Sequence, residues 1–242
     1  MRQPRFYDPQ PLTIRQTIVL GDDATQHIRV LRLKVKQRVI LFNGQGGEFH
    51  GTLVDVQKRS CRAHIDSFHE STNESPLHLH LGQVISRGER MELVIQKAVE
   101  LGVNEITPLL SERCGVKVNL DRMTKKQQQW QKIAIAACEQ SGRNIVPIIH
   151  ETKQLSDWCA MNSAAVKLTL HPRATYSINT LPEKLNNIAL LIGPEGGLSD
   201  SEIELTEKLN FIETLLGPRI LRTETAALTA ITALQCRFGD LA

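Results

Sequence analysis

The sequence predicts an α/β protein in which a small strand-rich domain precedes a larger domain built on a parallel sheet. Short β-rich runs follow one another between residues 37 and 69 with little helix, which is typical of a small barrel. After residue 76, apolar strands alternate with helical segments. This alternation is typical of a parallel sheet covered by helices on both faces.

The N-terminal domain is predicted to span residues 1–72. "GDDATQHIRVLRL" suits a short helix, with Asp23 as its N-cap and Gln26 three residues later. "RVILFNGQGGEFHGTLVDV" has two β-rich runs around a glycine-rich turn and therefore predicts a hairpin. Residues Cys61 to Phe68 alternate between apolar and polar, which indicates a further strand.

The second domain is predicted to span residues 73–242, after a polar, turn-rich segment that ends at Pro76. Strands are expected at 77–85, 103–110, 146–149, 166–170, 188–192 and 212–216. Helices are expected at 90–102, 123–142, 154–161, 199–209 and 224–238, the first of them stopped by Gly102 and the second by Gly142.

The bulk composition favours a cytoplasmic globular protein. Hydrophobic residues make up 41% and charged residues 23% of the chain, as in ordinary soluble domains. No stretch approaches the roughly 18 apolar residues of a membrane helix, and "MRQPRFYDPQPL" has no apolar core that would indicate a secretory signal. We therefore expect no membrane association.

Neither cysteines nor histidines predict a metal site. The five cysteines are scattered and never in C-x-x-C spacing, which argues against disulfides and against cysteine-bound zinc. His78 and His80 project from the same face of a predicted strand, but no third ligand is close to them in sequence. No metal is expected.

Positive charge is concentrated in the first domain. Residues 1–72 carry 11 Lys and Arg against 7 Asp and Glu, whereas the remainder carries 18 against 19. Such asymmetry is typical of a domain that faces a polyanion such as nucleic acid. Charge alone is equally consistent with a solvated basic surface that has no partner.

A glycine-rich turn is the strongest local signal in the chain. In "LLIGPEGGLSDSE", a buried strand from Leu190 runs into Gly-Pro-Glu-Gly-Gly, and Ser199 with Glu202 then forms a capping box that opens a helix. Ligands of open α/β sheets bind outside the carboxyl ends of strands, and glycines let backbone groups approach a ligand closely. A turn of purely structural use is the alternative. Glu195 in this turn would repel a phosphate and suits a cationic ligand.

Two further loops reinforce the idea of a ligand pocket. "LLGPRILRTETAALTA", from Leu215, again places Gly-Pro directly after an apolar strand, and a third strand ends in His171-Pro172. The two Gly-Pro loops are expected at adjacent strand ends, and the three loops together to line one pocket. The chain has neither G-x-x-x-x-G-K-[ST] nor G-x-G-x-x-G, so nothing indicates a P-loop NTPase or a dinucleotide-binding fold.

At these residues the sequence resembles a known family. "LLIGPEGGLSDSEI", "LGPRILRTETAALTA" and "GQVISRGERMELVIQKAVELGV" are similar to the RsmE family, the 16S ribosomal RNA uracil-N3 methyltransferases of the SPOUT superfamily, and the likeness extends over nearly the whole chain. It implies a SPOUT-type C-terminal domain with a parallel sheet and a deep trefoil knot, and an N-terminal PUA-like β-barrel that binds RNA. It also implies a homodimer, S-adenosylmethionine as cofactor, and methylation of uridine 1498 of 16S rRNA, within the 30S subunit. One departure is Lys36, where relatives often have a turn glycine.

The resemblance also assigns residues to the site. The cofactor-binding positions would be Leu170, His171, Pro172, Ile192, Gly193, Pro194, Glu195, Gly196, Gly197, Leu216, Gly217, Pro218, Ile220, Leu221, Thr223, Thr225 and Ala226. Thr223 and Thr225 are at the same time expected to cap the following helix.

Methylation of uracil N3 requires a proton to leave a weakly acidic nitrogen, and the resulting charge must be stabilised. Arg222 is our candidate for that stabilisation, through hydrogen bonds to a carbonyl oxygen of the base. The alternative is an arginine that caps a strand end or pairs with Glu224. Glu224 is a candidate base or an orienting partner of Arg222, and the sequence does not separate these roles.

The predicted RNA contacts are basic residues of the first domain and two arginines of the second. They are Arg2, Arg5, Arg29, Arg32, Lys34, Lys36, Arg38, Arg87 and Arg143. Two alternatives to the leading hypothesis stay open: an RNA-binding ribosome assembly factor without catalysis, and the same fold methylating another RNA.

Overall fold

The computed structural model describes residues 3–71, 73–115, 120–171 and 174–241, with residues 120 and 121 described by their backbone alone. The chain forms two compact units. One consists of Met1–Glu74 and Cys138–Val146, and the other of Ser75–Ala137 and Pro147–Ala242. The sequence-based division had assigned the short segment Cys138–Val146 to the second domain.

The first unit contains a five-stranded sheet and one helix. In chain order its elements are β1 (Arg5–Tyr7), β2 (Thr17–Val19), α1 (Asp22–Val30), β3 (Arg38–Phe42), β4 (Glu48–Val56) and β5 (Cys61–His69). The strand order is β1-β3-β4-β5-β2. Only β1 and β3 pair in parallel, and β3 to β5 form an antiparallel meander that includes the predicted hairpin.

The core of this unit lies between the sheet and α1. Its largest buried side chains include Phe6, Ile28, Leu41, Leu53 and Ile65. Alternation along β5 puts one face of the strand into this core and leaves the other to solvent.

Helix α1 begins one residue before the predicted N-cap. Gly21 is the N-cap and no side chain caps the helix. The Asp8 carboxylate instead accepts the Gly21 N–H at 2.8 Å and fixes the turn from outside the helix. Asp22 and Asp23 consequently lie in the first turn, where negative charge suits the helix dipole.

Lys36 occupies a turn with left-handed backbone. Its φ is 72°, and its N–H donates to Leu53 O at 2.7 Å. A non-glycine residue in this region of φ is uncommon, which agrees with the expectation that a glycine suits this position.

The second unit is a parallel α/β sheet. Its strands are β6 (His78–Val84), β7 (Glu105–Leu110), β8 (Ile148–Ile149), β9 (Lys153–Gln154), β10 (Val166–Leu170), β11 (Tyr176–Ser177), β12 (Asn187–Ile192) and β13 (Phe211–Leu215). Its helices are α2 (Arg90–Glu100), α3 (Leu120–Ser141, whose last four residues belong to the first unit), α4 (Leu155–Met161), α5 (Asp200–Lys208) and α6 (Thr223–Phe238), with a short 3₁₀ helix at Ile178–Thr180.

All described strand pairs of this unit are parallel, which confirms the predicted α/β class. The strand order is β11-β13-β10-β12-β6-β7-β8, with β9 beside β7. Strands β7 and β12 are mostly apolar and buried after their first residue, and β6 is buried from Leu81 to Val84, as expected of strands covered on both faces. Among the described residues no helix combines the length and the apolar character required to cross a membrane.

Three cysteines, Cys61, Cys138 and Cys159, are part of the buried interior. Cys159 packs in the core of the second unit and Cys138 is buried in the first. Burial raises the pKa of both thiols to about 12, because the thiolate would lose its hydration. Cys236, in contrast, is exposed.

Candidate active site

The sheet topology brings the three predicted loops together at one edge. Strands β13, β10 and β12 are neighbours, all parallel, so their carboxyl ends meet at the same edge. The two Gly-Pro loops follow β12 and β13, and β10 lies between them. The expectation that these two strands are adjacent is therefore wrong, because the strand that ends at the His171 loop separates them.

A cavity of about 520 Å³ lies among these loops, within the size range of small-molecule sites. The predicted residues that line it are Leu170, His171, Ile192, Gly193, Pro194, Glu195, Gly197, Leu216, Gly217, Ile220, Leu221, Arg222, Thr223 and Ala226. Sequence reasoning missed Arg90, Leu198, Thr214, Leu215 and Arg219, which also line it. Gly196, Pro218, Glu224 and Thr225 do not line this cavity, and Pro172 lies outside the described residues.

The first loop is a tight turn between β12 and α5. Gly197 has a φ of 71° and donates its N–H to Pro194 O at 3.0 Å. The predicted capping box is present: Ser199 Oγ accepts the Glu202 N–H, and the Glu202 carboxylate accepts the Ser199 N–H at 2.9 Å. Hydrogen bonds thus fix the backbone within the turn and at the start of α5, and residues of the turn line the cavity.

An arginine from the loop after β7 donates hydrogen bonds to backbone carbonyl groups of this turn. Arg113 Nη1 donates to Leu198 O at 3.0 Å and is 3.4 Å from Gly196 O. Nothing local in the sequence around Arg113 indicates this role, because its partners are more than 80 residues away.

The second loop carries another left-handed glycine and an exposed apolar side chain. Gly217 has a φ of 109°, which L-residues rarely adopt. Ile220 is 86% exposed although it lines the cavity. The loop therefore places an apolar side chain at the cavity mouth.

Thr223 connects the two loops instead of capping α6. Its hydroxyl donates to Gly193 O at 2.8 Å and lies 3.2 Å from the Gln83 side-chain amide. Arg222 is the N-cap residue of α6, with no side-chain cap, so the cap predictions for Thr223 and Thr225 are both wrong. Gln83 is fully buried at the end of β6, and Gln83 Oε1 accepts no hydrogen bond from the described residues. Sequence reasoning missed Gln83, although it lies in the quoted segment "GQVISRGER".

Arg222 and Glu224 are not paired with each other. Arg222 is exposed at the cavity wall, and no ion pair to it is found among the described residues. Glu224 lies 3.9 Å from Arg90 through Oε1, while Glu224 Oε2 is buried and accepts no hydrogen bond from the described residues. Of the alternatives for Arg222, pairing with Glu224 is therefore excluded in this structure.

The charged side chains that line the cavity are one carboxylate, Glu195, and the guanidinium groups of Arg90, Arg219 and Arg222. Arg90 Nη1 is 3.1 Å from Glu195 Oε1, so Arg90 approaches this carboxylate as well as that of Glu224. Glu195 is the carboxylate on the cavity wall, and it places negative charge beside a cationic ligand. The glycine turns, the cavity volume and this carboxylate fit a nucleoside sulfonium.

A second, open cavity of about 740 Å³ adjoins the first loop. It is lined by Arg87, Arg90 and Arg113 as well as by Glu195 and Gly196. Arg87 Nε donates to Gly115 O at 3.1 Å and remains exposed. Gly196 thus faces the arginine-rich cavity. Three guanidinium groups there favour a polyanion.

Five of the predicted RNA contacts form an exposed basic stretch in the first unit. Arg29, Arg32, Lys34, Lys36 and Arg38 are all exposed, between the end of α1 and the start of β3. Arg2 lies outside the described residues. These five side chains are available to phosphates.

Arg5 and Arg143, in contrast, have internal roles, and the prediction that they contact phosphates is wrong. Both are buried, at 7% and 3% exposure. Arg5 forms an ion pair with Glu48 and hydrogen bonds to the Asn144 side chain, while Arg143 pairs with Glu74 at 2.5 Å. Buried charges are retained when paired in this way. Phosphate binding would require the loss of these pairs.

The histidines of β6 have partners that sequence spacing did not indicate. Glu105, on the neighbouring strand β7, lies 3.2 Å from His78 Nε2 and 4.0 Å from His80 Nδ1. His150 Nε2 is 2.6 Å from the same carboxylate. The expectation of no metal rested on the lack of a third ligand close in sequence, and tertiary structure supplies further candidate ligands.

Comparison with known proteins agrees with the site geometry. The chain matches the RNA methyltransferase domain family over residues 73–235 and the RNA methyltransferase PUA domain family over residues 20–66. Two relatives named ribosomal RNA small subunit methyltransferase E, from Buchnera aphidicola of Schizaphis graminum and of Acyrthosiphon pisum, are 45% and 39% identical. The alignments cover 99% and 98% of this chain and 98% and 94% of the relatives.

Two solved structures are similar over the full length of both chains. A Legionella pneumophila protein described as a methyltransferase, in complex with the cofactor S-adenosylmethionine, is 45% identical with a TM-score of 0.97. A ribosomal RNA small subunit methyltransferase E from Neisseria gonorrhoeae, bound to S-adenosylmethionine, is 37% identical with a TM-score of 0.94. The chain belongs to the ribosomal RNA small subunit methyltransferase E family, and it is an RNA methyltransferase.

Proposed function

We propose that this protein transfers a methyl group from S-adenosylmethionine to N3 of uridine 1498 in 16S rRNA, with the 30S subunit as substrate. The observation that carries the proposal is the cavity among the loops after β10, β12 and β13, with Arg222 on its wall. Similar proteins that were solved with S-adenosylmethionine support the choice of cofactor.

The first loop and its carboxylate would hold the cofactor. Gly193 and Gly197 present backbone groups without a Cβ between them and the ligand. Glu195, on the cavity wall, supplies negative charge beside a cationic ligand. The loop that contains Gly217 and Leu221 would enclose the adenine through backbone groups. When bound, S-adenosylmethionine supplies an electrophilic methyl group on a positively charged sulfur.

Arg222 would stabilise the charge that develops on uracil. N3 lies between two carbonyl groups, so loss of its proton spreads negative charge onto their oxygens. An exposed guanidinium without an ion-pair partner among the described residues can donate to one of these oxygens. Because N3 lies on the Watson–Crick edge, the uridine must be unpaired or flipped out to reach the site.

Glu224 is the candidate proton acceptor. Its Oε2 atom is buried and has capacity to accept a proton or a hydrogen bond. Its approach to Arg90 at 3.9 Å gives it a partner other than Arg222, so we favour the role of base over that of an orienting group for Arg222.

Basic residues of both units would bind the RNA backbone. In the domain of residues 1–72, a PUA-like β-barrel in our proposal, these are Arg29, Arg32, Lys34, Lys36 and Arg38. Arg87 would contact phosphates next to the cofactor cavity, and the neighbouring arginines there strengthen this expectation. Such contacts position RNA without reading its sequence.

The family resemblance extends the proposal to architecture. We infer that residues 73–242 form a SPOUT domain with a deep trefoil knot in its last strands and helix, and that the protein is a cytoplasmic homodimer. An 86% exposed Ile220 at the cavity mouth favours a site that lies close to a second subunit.

The test is methylation of 30S subunits from a strain that lacks the modification. Purified protein and S-adenosylmethionine are incubated with these particles or with free 16S rRNA, and nucleosides are quantified by mass spectrometry. We expect 3-methyluridine in the particles, mapped to position 1498 by a primer-extension stop. Methylation at another atom or in another RNA would contradict the substrate assignment. Cofactor binding without any methyl transfer, or RNA binding without cofactor binding, would leave the assembly-factor alternative in its place.

A further inference from the structure

We propose that His80, Glu105 and His150 form a binding site for a single Zn²⁺ ion. One ligand atom from each of the three residues lies within 4.8 Å of the others. Two imidazoles and one carboxylate are ligand types that zinc prefers, and zinc sites with three protein ligands complete their coordination with water.

The distances require only a small adjustment to accept the ion. Zinc lies about 2.0–2.2 Å from nitrogen and oxygen ligands, so two ligand atoms on one ion are at most about 4.4 Å apart. His80 Nδ1 and Glu105 Oε2 are already 4.0 Å apart, whereas His150 Nε2 and Glu105 Oε2 must separate from 2.6 Å. Rotation of half-buried side chains provides movements of this size.

The carboxylate and one imidazole are oriented by neighbours. His78 Nε2 lies 3.2 Å from Glu105 Oε1, which leaves Oε2 directed at the other two histidines. His80 Nε2 lies 2.8 Å from Thr107 Oγ1 and 3.3 Å from Trp158 Nε1. Because the Trp158 indole N–H donates to His80 Nε2, the proton of neutral His80 is on Nδ1 in the metal-free protein. Zinc at Nδ1 would move this proton to Nε2, where Thr107 Oγ1 can accept it and Trp158 loses its acceptor. Outer hydrogen bonds of this kind orient the imidazole ligands of metal sites.

The site is separate from the methyl-transfer cavity. The three residues line a pocket of about 280 Å³ that shares no lining residue with the loop cavity. His80 and Glu105 lie near the amino ends of β6 and β7, and the loop cavity lies at the carboxyl ends of parallel strands of the same sheet. Lys153 is the cationic side chain of the pocket, and its Nζ contacts Met161 Sδ at 3.7 Å. An ion here would stabilise the sheet without a part in catalysis.

The experiment is isothermal titration of the metal-free, full-length protein with ZnCl₂, together with variants Glu105→Gln and His150→Gln. His64→Gln is the control, because it removes a histidine of the first unit. Each variant is also titrated with S-adenosylmethionine, whose retained binding demonstrates that the second unit is folded.

We expect one zinc ion per chain and at least tenfold weaker binding in Glu105→Gln and His150→Gln, with no change in the control. Thr107→Val should weaken binding by about 10–100-fold through the loss of the outer hydrogen bond. Absence of zinc binding to the unmodified protein would overturn the proposal. Unchanged zinc affinity in both ligand variants that still bind S-adenosylmethionine would do so as well.

Discussion

Replacement of Gly197 by alanine tests whether the first loop needs its left-handed backbone to hold the cofactor. Gly197 has a φ of 71°, and a Cβ at this position would meet no atom within 4 Å. In the protein without ligand, alanine therefore introduces backbone strain without a clash against other protein atoms. The left-handed conformation costs an L-residue about 1–2 kcal/mol.

This strain has a measurable consequence for binding. If the free loop relaxes and must return to the left-handed conformation to bind, S-adenosylmethionine affinity falls by about 5- to 30-fold. If the loop cannot relax, the same free energy lowers the stability of the folded protein. Isothermal titration with S-adenosylmethionine and thermal unfolding of the same samples separate these two outcomes.

Gly196→Ala is the matched control at the adjacent position. A Cβ on Gly196 would lie 3.7 Å from Arg113 Cβ, an ordinary van der Waals distance, and Gly196 has no left-handed φ. We expect the Kd of this variant for S-adenosylmethionine to remain within about twofold of that of the parent protein, and its free energy of unfolding within about 0.5 kcal/mol. Gly197→Ala with unchanged affinity and unchanged unfolding temperature would refute the reasoning from φ.

Three further outcomes follow from residues outside this turn. Arg222→Ala should reduce kcat on 30S subunits by about 10²- to 10³-fold with little change in the Kd for S-adenosylmethionine; an equal loss in both quantities would contradict a role in charge stabilisation. Arg143→Ala should lower the free energy of unfolding by about 3–5 kcal/mol, because it removes the buried guanidinium group that pairs with the Glu74 carboxylate. Arg29→Ala, which changes an exposed arginine of the same unit, should alter the free energy of unfolding measured by denaturant titration by no more than about 0.5 kcal/mol. Similar losses of stability in both variants would refute the assignment of Arg143 to a buried ion pair. Cys236 should react with a thiol reagent at pH 8 in the native protein while the two thiols of pKa about 12 do not, and all five should react in denaturant; fast reaction of five thiols without denaturant would contradict the burial.

The parts of the site that sequence predicted are those in which backbone geometry dictates residue type. Gly193, Pro194 and Gly197 stand out because a tight turn after a buried strand accepts few other residues. Ser199 and Glu202 were recognised for the same reason, since a capping box has fixed spacing. These features are local, so a short window of sequence contains them.

Features that depend on distant partners were predicted poorly. Thr223 was expected to cap a helix, but its hydroxyl donates to a carbonyl 30 residues away and contacts Gln83 140 residues away. Arg143 was expected to contact RNA at the surface. Its partner Glu74 is 69 residues away in sequence, so no local pattern indicated the ion pair. Charge counts do not distinguish a buried ion pair from an exposed phosphate contact.

The first unit is built from two segments of the chain that are far apart in sequence, which has a consequence for the order of folding during synthesis. Arg5, Glu74 and the backbone N–H of Tyr7 have partners in Asn144, Arg143 and Glu139, all within the late segment Cys138–Val146. At roughly 5–20 residues per second, the ribosome needs about 4–14 s to extend the chain from residue 74 to residue 146. During that interval Arg5 has its ion-pair partner Glu48 but not Asn144, and the Tyr7 N–H lacks the Glu139 carboxylate. We expect the nascent first unit to stay only partly ordered until the end of α3 has left the exit tunnel.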